Sequence, residues 1–296
     1  MITVLTPSYN RDYILKNAYN SLLKQTNKNF EWIIVDDGST DNTKELVQKF
    51  VNDKKITIRY FKKSNGGKHT ALNYGIKKAK GELLLILDSD DVLTNNAIET
   101  VYKYHNKYKN HKNLCGYSFI KVFPNYKKIG KPLGVQEVIS NHIDFRYNKN
   151  NLGDMEEVFK TSILKKYAFP VFNNERFLSE AIVWNKIALD YDTVYVNDSI
   201  YIADYIEDGL SKNFFKLVYR NPIGALENSN MFLIDRFKLS IRIKNAILYN
   251  GYCLTANYRF MKSYKKSNCK FLTTLFFVPG IMFYLYLKIK NIPKFN

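Results

Sequence analysis

LLLILDSDDV, residues 83–92, decides how this chain is read. An unbroken apolar run ends on Asp88, Asp90 and Asp91. Such a run between turn signals reads as a strand covered on both faces. Carboxylates this close repel one another unless a positive charge sits among them. The stretch therefore predicts a buried strand whose C-terminal tip meets a cation.

The same pattern recurs on either side. Residues 2–6, 31–35, 56–61, 83–87 and 117–123 are short, rich in Val, Ile and Leu, and bounded by turn signals, so all five are expected to be strands. Helices are expected over residues 12–25, 43–51, 69–80 and 96–107. In the first of these, Ile14, Leu15, Ala18, Leu22 and Leu23 recur at helical spacing. Gly81 reads as the stop of the third. Strands alternating with helices imply an α/β fold, with a mostly parallel central sheet flanked by helices and right-handed crossovers.

Polar clusters close three of these strands: TPSYNR (6–11), DDGSTDNT (36–43) and DSDD (88–91). In open α/β sheets that edge is where ligands bind. No G-x-G-x-x-G follows the first strand and no G-x-x-x-x-G-K-[ST] occurs, so neither a dinucleotide fold nor a P-loop is indicated. Helix capping by Ser39, Thr40 or Asp41 would account for part of the second cluster but not for Asp36 with Asp37. Carboxylate oxygens suit Mn²⁺ or Mg²⁺, held by one or two aspartates and completed by the phosphates of a ligand.

Composition bounds the rest. The 296 residues suffice for one large α/β domain or two small ones, and 46% hydrophobic content supplies a core. Cys115, Cys253 and Cys269 are far apart and lack C-x-x-C spacing, which points to a reducing compartment without disulfides or zinc. MITVLTPSYN enters a strand at once, so no secretory signal is expected. Of the net charge of +18, residues 212–296 carry +13, which suggests a polyanionic partner surface. That tail contains FLTTLFFVPGIMFYLYL (271–287), an uncharged run flanked by Lys262, Lys265, Lys266, Lys270, Lys288 and Lys290. It falls short of the roughly 20 residues of a spanning helix, and Pro279-Gly280 interrupts it. A kinked helix, or two short ones lying in an anionic bilayer interface, fits the run. The alternative is a C-terminal hairpin packed on the domain. A nucleic-acid surface needs no uncharged apolar run, so nucleic acid is not expected as a partner.

Taken together, VLTPSYNR, SLLKQT, FEWIIVDDGSTDNT, GGKHTALNYGIKKAKGE and LILDSDD, in that order across residues 2–91, resemble family 2 glycosyltransferases of the GT-A fold. Two later stretches extend the likeness. RFLSEAIVWNKIA (176–188) is similar to the acceptor-side segment that supplies the base, and YIEDGLS (205–211) to a segment found shortly after it. The chain departs from the pattern at Leu72, where many relatives carry Arg; Lys68 or His69 would then neutralise phosphate.

The resemblance implies roles residue by residue. Thr6, Pro7 and Tyr9 would line the nucleoside pocket, with Tyr9 stacking on the base. Asp37 would hydrogen-bond the base edge, and Asp88 would reach the ribose. Asp90 would ligate the metal bridging the diphosphate, with Asp91 beside it. Glu180, after Ser179 and before Trp184 and Lys186, would be the base that deprotonates an acceptor hydroxyl; a first-turn helix Glu would suit the position equally. Asp154 in LGDMEE is the other candidate base. His105, His111 and His142 have no partner pattern and read as surface or structural residues.

The implied protein is an inverting, metal-dependent transferase moving a sugar, with UDP the leading nucleotide, onto a glycan or lipid-linked acceptor of the cell envelope. Residues 1–210 would form the GT-A domain, with 1–115 the donor half and 116–210 the acceptor half. Residues 211–296 would be a basic helical extension holding it peripherally on the inner face of the membrane. No Q-x-x-R-W stretch occurs, which favours one sugar per acceptor. A metal-dependent nucleotidyltransferase and a catalytically silent glycan- or membrane-binding protein are the rival readings.

Overall fold

The computed structural model of the chain describes residues 1–151, 153–203 and 214–291. Its sheet is built from β1 (Ile2–Ser8), β2 (Phe30–Asp36), β3 (Thr57–Lys62), β4 (Leu83–Ile86), β5 (Val92–Leu93), β6 (Leu114–Val122), β7 (Glu137–Asn141), β8 (Met155–Lys160) and β9 (Asp192–Ile202). The order is β3-β2-β1-β4-β8-β6-β9-β5, and β7 also pairs with β9. Strands β3, β2, β1 and β4 are mutually parallel; β8 inserts antiparallel between β4 and β6, and β6 and β9 are again parallel. The chain leaves β1 toward β2 on one side and returns to β4 on the other. That reversal opens a crevice beyond the C-terminal ends of β1 and β4.

Both faces of the sheet are covered, as its continuous apolar strands require. On one face Ile2, Val4, Trp32 and Ile34 pack against α1 (Leu15–Leu23), α2 (Thr43–Asn52) and α4 (Ala97–Tyr108). On the other, Leu5, Ile33, Val35 and Leu84 meet α3 (Lys68–Lys78), α5 (Thr161–Leu164) and α6 (Ala181–Ile187). Leu72 belongs to this second core and is fully buried, so the position where relatives carry Arg faces the sheet here.

Two local expectations are corrected. Helix α1 begins at Leu15 rather than at residue 12, because Asp12 is tied to the neighbouring loop. Its amide donates to Asp41 at 3.0 Å, and its carboxylate accepts from the Asn42 amide at 3.2 Å. Gly81 does not stop α3, which ends at Lys78 as Ala79 turns extended. A Cβ at Gly81 would lie 2.4 Å from the Thr3 backbone nitrogen, so close approach to β1 demands the glycine.

The C-terminal helices are α7 (Phe214–Arg220), α8 (Pro222–Met231), α9 (Leu239–Thr255), α10 (Phe260–Lys266), α11 (Lys270–Leu275) and α12 (Phe277–Asn291). They share a core of Val218, Leu226, Leu233, Ala246, Tyr249, Leu272 and Leu287. The expected boundary near residue 210 and the YIEDGLS stretch fall outside the described residues. The apolar run breaks at Phe276, not at Pro279-Gly280. Pro279 sits in the first turn of α12, where amides lack intrahelical partners anyway. Gly280 serves packing: a Cβ there would lie 2.3 Å from that of Asn250 on α9. The opposite side of α11 and α12 is exposed, with Phe271, Leu275, Val278, Met282, Leu285 and Ile289 following one another at intervals of three or four residues.

Candidate active site

A cleft of about 680 Å³ lies over the crevice at the β1 and β4 tips. One wall carries Pro7, Tyr9, Asp37, Lys68 and Asp88–Asp91; the facing wall carries Lys121, Asp154–Glu157, Arg176–Glu180 and Trp184. The sequence-predicted site residues thus converge on one cavity, apart from Thr6. That residue is fully buried within β1, where its hydroxyl accepts from the Trp32 indole at 2.9 Å. Alternation along the strand turns Thr6 into the core and leaves Pro7 for the cleft.

Asp37 lines the cleft but has a task inside the protein. Its carboxylate accepts from the amides of Gly66 (3.0 Å) and Gly67 (2.7 Å) and from the Lys63 ammonium (2.7 Å). These bonds fold the 63–67 loop under α3 and occupy most of the oxygens' accepting capacity. Gly67, at φ +92°, presses against the opposite wall, where a Cβ would meet the Arg176 carbonyl oxygen at 2.0 Å. Asp36 is structural, accepting from Tyr60 at 2.5 Å and from the Ser39 amide at 2.7 Å.

Lys68 joins the two walls. Its ammonium lies 2.7 Å from Asp88 Oδ1 and 2.9 Å from Glu180 Oε1. Burial alone would lower the lysine's pKa, but the charges of Asp88 and Glu180 outweigh it and hold it well above the ordinary value. Burial likewise acts to raise the Asp88 carboxyl, and Lys68 and Lys121 bring it below its usual range. Glu180 is the N-cap residue of α6 yet makes no side-chain cap bond; its carboxylate reaches across the cleft instead. This is the positive charge that the opening acidic stretch calls for.

Asp90 has no such direct ion pair among the described residues; Arg11 and Lys68 act on it only through their charge. Burial, and then the charge of Asp88, raise its pKa. Asp91 accepts from the Tyr201 hydroxyl at 2.8 Å, and the same hydroxyl accepts from the Asp88 amide at 3.1 Å, so β9 fixes the acidic turn from behind. Among the described residues no group of three or more His, Cys, Asp or Glu side chains forms a metal cage. A half-buried carboxylate that Arg11 and Lys68 offset only in part nevertheless fits a hard divalent ion that draws its other ligands from a bound phosphate.

The facing wall holds a second ionic group. Lys121 lies 3.3 Å from Glu156 and 3.7 Å from Asp154, with its ammonium 4.2 Å over the Tyr201 ring. His69 is buried beneath the cleft with its Nδ1 unpartnered, while His105 meets Tyr117 and Glu82, and His142 meets Tyr195. The three cysteines are free thiols.

Sequence reasoning missed Lys121 and the contribution of the C-terminal helices. Leu217 and Asn221 line the cleft. The Asn221 side chain accepts from the amides of Arg176 (2.7 Å) and Phe177 (3.1 Å). Glu175 returns the tie, accepting from the amides of Ile223 (2.6 Å) and Gly224 (2.7 Å) at the start of α8. ERF in the sequence carries no sign that its Glu caps a helix some fifty residues on.

Residues 3–169 match the family described as Glycosyl transferase family 2. The GalNAc(5)-diNAcBac-PP-undecaprenol beta-1,3-glucosyltransferase of Campylobacter jejuni is 32% identical over 235 residues, covering 76% of this chain and 72% of that protein. Among solved structures, Staphylococcus aureus TarS 1–349 in complex with UDP-GlcNAc superposes with a TM-score of 0.62 at 17% identity, covering 100% of this chain and 93% of that one. The mannosyltransferase PcManGT of Pyrobaculum calidifontis, in complex with GDP-Man and Mn²⁺, gives 0.59 at 15% identity, covering 100% and 88%. These likenesses show the GT-A fold.

Proposed function

Because the chain belongs to glycosyl transferase family 2, we propose that it moves a sugar from a UDP-sugar to a hydroxyl of a glycan carried on a lipid diphosphate, by a single displacement with inversion. The observation that carries this reading is Lys68, clamped between an acid of the donor wall and an acid of the acceptor wall. The undecaprenol-linked substrate named for the Campylobacter relative and the UDP-GlcNAc bound to TarS support the choice of acceptor and nucleotide.

The residues then have distinct tasks. Tyr9, half-exposed at the cleft mouth, offers its ring to the base beside Pro7. Asp88 takes the ribose, and Asp37 acts through the loop it fixes. An incoming diphosphate gives Lys68 a third anionic partner and loosens its hold on Glu180. Glu180 takes the proton of the acceptor hydroxyl as that oxygen bonds to the anomeric carbon and the bond from that carbon to the diphosphate breaks. A Mn²⁺ or Mg²⁺ held by Asp90, with Asp91 beside it, would offset the charge gathering on the leaving diphosphate. Residues 1–115 form the donor half and 116–210 the acceptor half, and the extension over 211–296 both closes the cleft and meets the membrane.

Membrane contact is peripheral in this account. Among the described residues no helix is long and apolar enough to cross a bilayer. The exposed stripe of α11 and α12 is flanked by Lys262, Lys265, Lys266, Lys270, Lys288 and Lys290, the pairing of apolar side chains and cations that an anionic interface accepts. Such a location, on the inner face of the cell membrane, suits a lipid-linked acceptor. Replacing Val278, Met282 and Ile289 together by Asp should cut binding to phosphatidylglycerol vesicles by at least about 100-fold, since each buried apolar side chain is worth roughly 1.5–3 kcal/mol. Co-sedimentation measures it, and binding equal to that of the unaltered protein refutes the stripe as the contact.

Turnover tests the reaction itself. Incubation with UDP-glucose, Mn²⁺ and a short alkyl diphosphate bearing GalNAc should release UDP. Release of glucose 1-phosphate, the leaving group when UMP is transferred, would instead indicate nucleotidyl transfer.

A further inference from the structure

The acceptor wall contains a carboxylate that the mechanism leaves idle. Glu157 lies on β8, opposite Ser118 of β6, and lines the cleft. Among the described residues its carboxylate has no side-chain hydrogen bond or ion pair of its own. The nearby cations Arg146 and Lys121 offset its charge only from a distance and bond elsewhere: Lys121 to Glu156 and Asp154, and Arg146 to the Gly153 carbonyl. Burial raises the Glu157 carboxyl to about 7. A partly buried carboxylate without a partner disfavours the fold, and a neutral side chain would fill the position as well. The group is therefore placed for something that enters the cleft.

Trp184 indicates what enters. Its indole lines the same cavity, and its ring is held at 4.4 Å from that of Phe159 and 5.7 Å from that of Phe169. Its amide donates to the Glu180 carbonyl at 3.2 Å, and a separation of four residues on α6 puts it on the face that carries Glu180. An immobile aromatic plate beside a carboxyl group matches a sugar, which offers a C–H face to the ring and hydroxyl groups to the oxygens.

We propose that Glu157 binds a hydroxyl of the acceptor sugar while Trp184 supports its ring, so that Glu157 selects the acceptor and Glu180 deprotonates it. The inference rests on the sugar-transfer reading above and assigns its acceptor subsite. A site built to accept a particular hydroxyl discriminates strongly against analogues that lack it.

Binding, rather than turnover, tests it. Short alkyl diphosphates bearing GalNAc, GlcNAc or glucose, and the monodeoxy forms of each, are titrated calorimetrically into the UDP-loaded protein. The unaltered protein should bind at least one parent sugar. Glu157→Gln should bind that sugar about 10–100-fold more weakly, as expected for loss of one charged hydrogen bond, with UDP affinity the same as in the unaltered protein. One monodeoxy sugar should bind equally weakly to both proteins, because the contact is missing either way. Glu157→Asp, which keeps the charge, should recover part of the affinity. The proposal is overturned if Glu157→Gln binds every sugar normally, if UDP affinity falls in step with sugar affinity, or if the unaltered protein binds none of the panel. Should the binding pattern hold while UDP-glucose is never consumed, the transfer reading fails and the subsite stands.

Discussion

Glu180→Gln is expected to slow sugar transfer by about 10²–10⁴-fold, the usual contribution of a positioned general base, without weakening the affinity for UDP. The amide keeps the shape but cannot take a proton. It also removes one of the two carboxylates that hold Lys68, so the ammonium turns more readily to a diphosphate and UDP should bind as tightly as before or more so. Single-turnover transfer and UDP calorimetry on the same preparation check both halves. If UDP affinity collapses together with transfer, Glu180 is a strut of the cleft. Asp154, 3.7 Å from Lys121 on the same wall, then becomes the first candidate for the base.

Asp90→Asn should cost transfer on the order of 10²-fold or more, because it withdraws a ligand from a cation whose charge stabilisation is worth several kcal/mol. Its effect on stability has the opposite sign. Asp90 is a carboxyl whose folded pKa is raised, by burial and then by Asp88. Folding therefore loses stability as pH rises from the unfolded pKa through the raised folded one. Asn has no charge to bury, so the variant should melt no lower than the unaltered protein at pH 7 and higher than it in the absence of metal. Such an exchange of stability for activity marks a functional site. Normal turnover of Asp90→Asn with Mn²⁺, or a lower melting temperature, would remove Asp90 from the metal assignment.

The β1–β4 part of the sheet was legible because its information is local. Apolar runs such as FEWIIV and LLLI form strands buried on both faces, and the acids that close them fall at one sheet edge by topology alone. What could not be read depends on partners distant in sequence. The pattern TPSY does not tell Thr6, which the Trp32 indole claims, from Pro7, which faces the cleft. The bonds of Asp37 to Gly66 and Gly67 span about thirty residues. Gly81 looks like a helix stop until β1 is seen packed against it.

The tail was half legible. Its charge and apolar run were plain, but Leu272 and Leu287 lie in a core shared with α9, so cutting the chain after Lys270 would expose that core as well as remove the stripe. Substitutions on the exposed face separate the two effects. Nothing in the sequence hinted that Asn221, beyond the expected domain boundary, would brace the loop before Glu180 through Arg176 and Phe177.

The anomeric configuration of the product tests the central claim most directly. UDP-glucose carries an α-linked sugar, and one displacement with Glu180 as base and no covalent intermediate must turn it over. Proton NMR of the disaccharide formed from UDP-glucose and the GalNAc-bearing alkyl diphosphate should show a β-linked glucose. An α-linked product would contradict the account, because retention needs a different mechanism and leaves Glu180 without the role assigned to it.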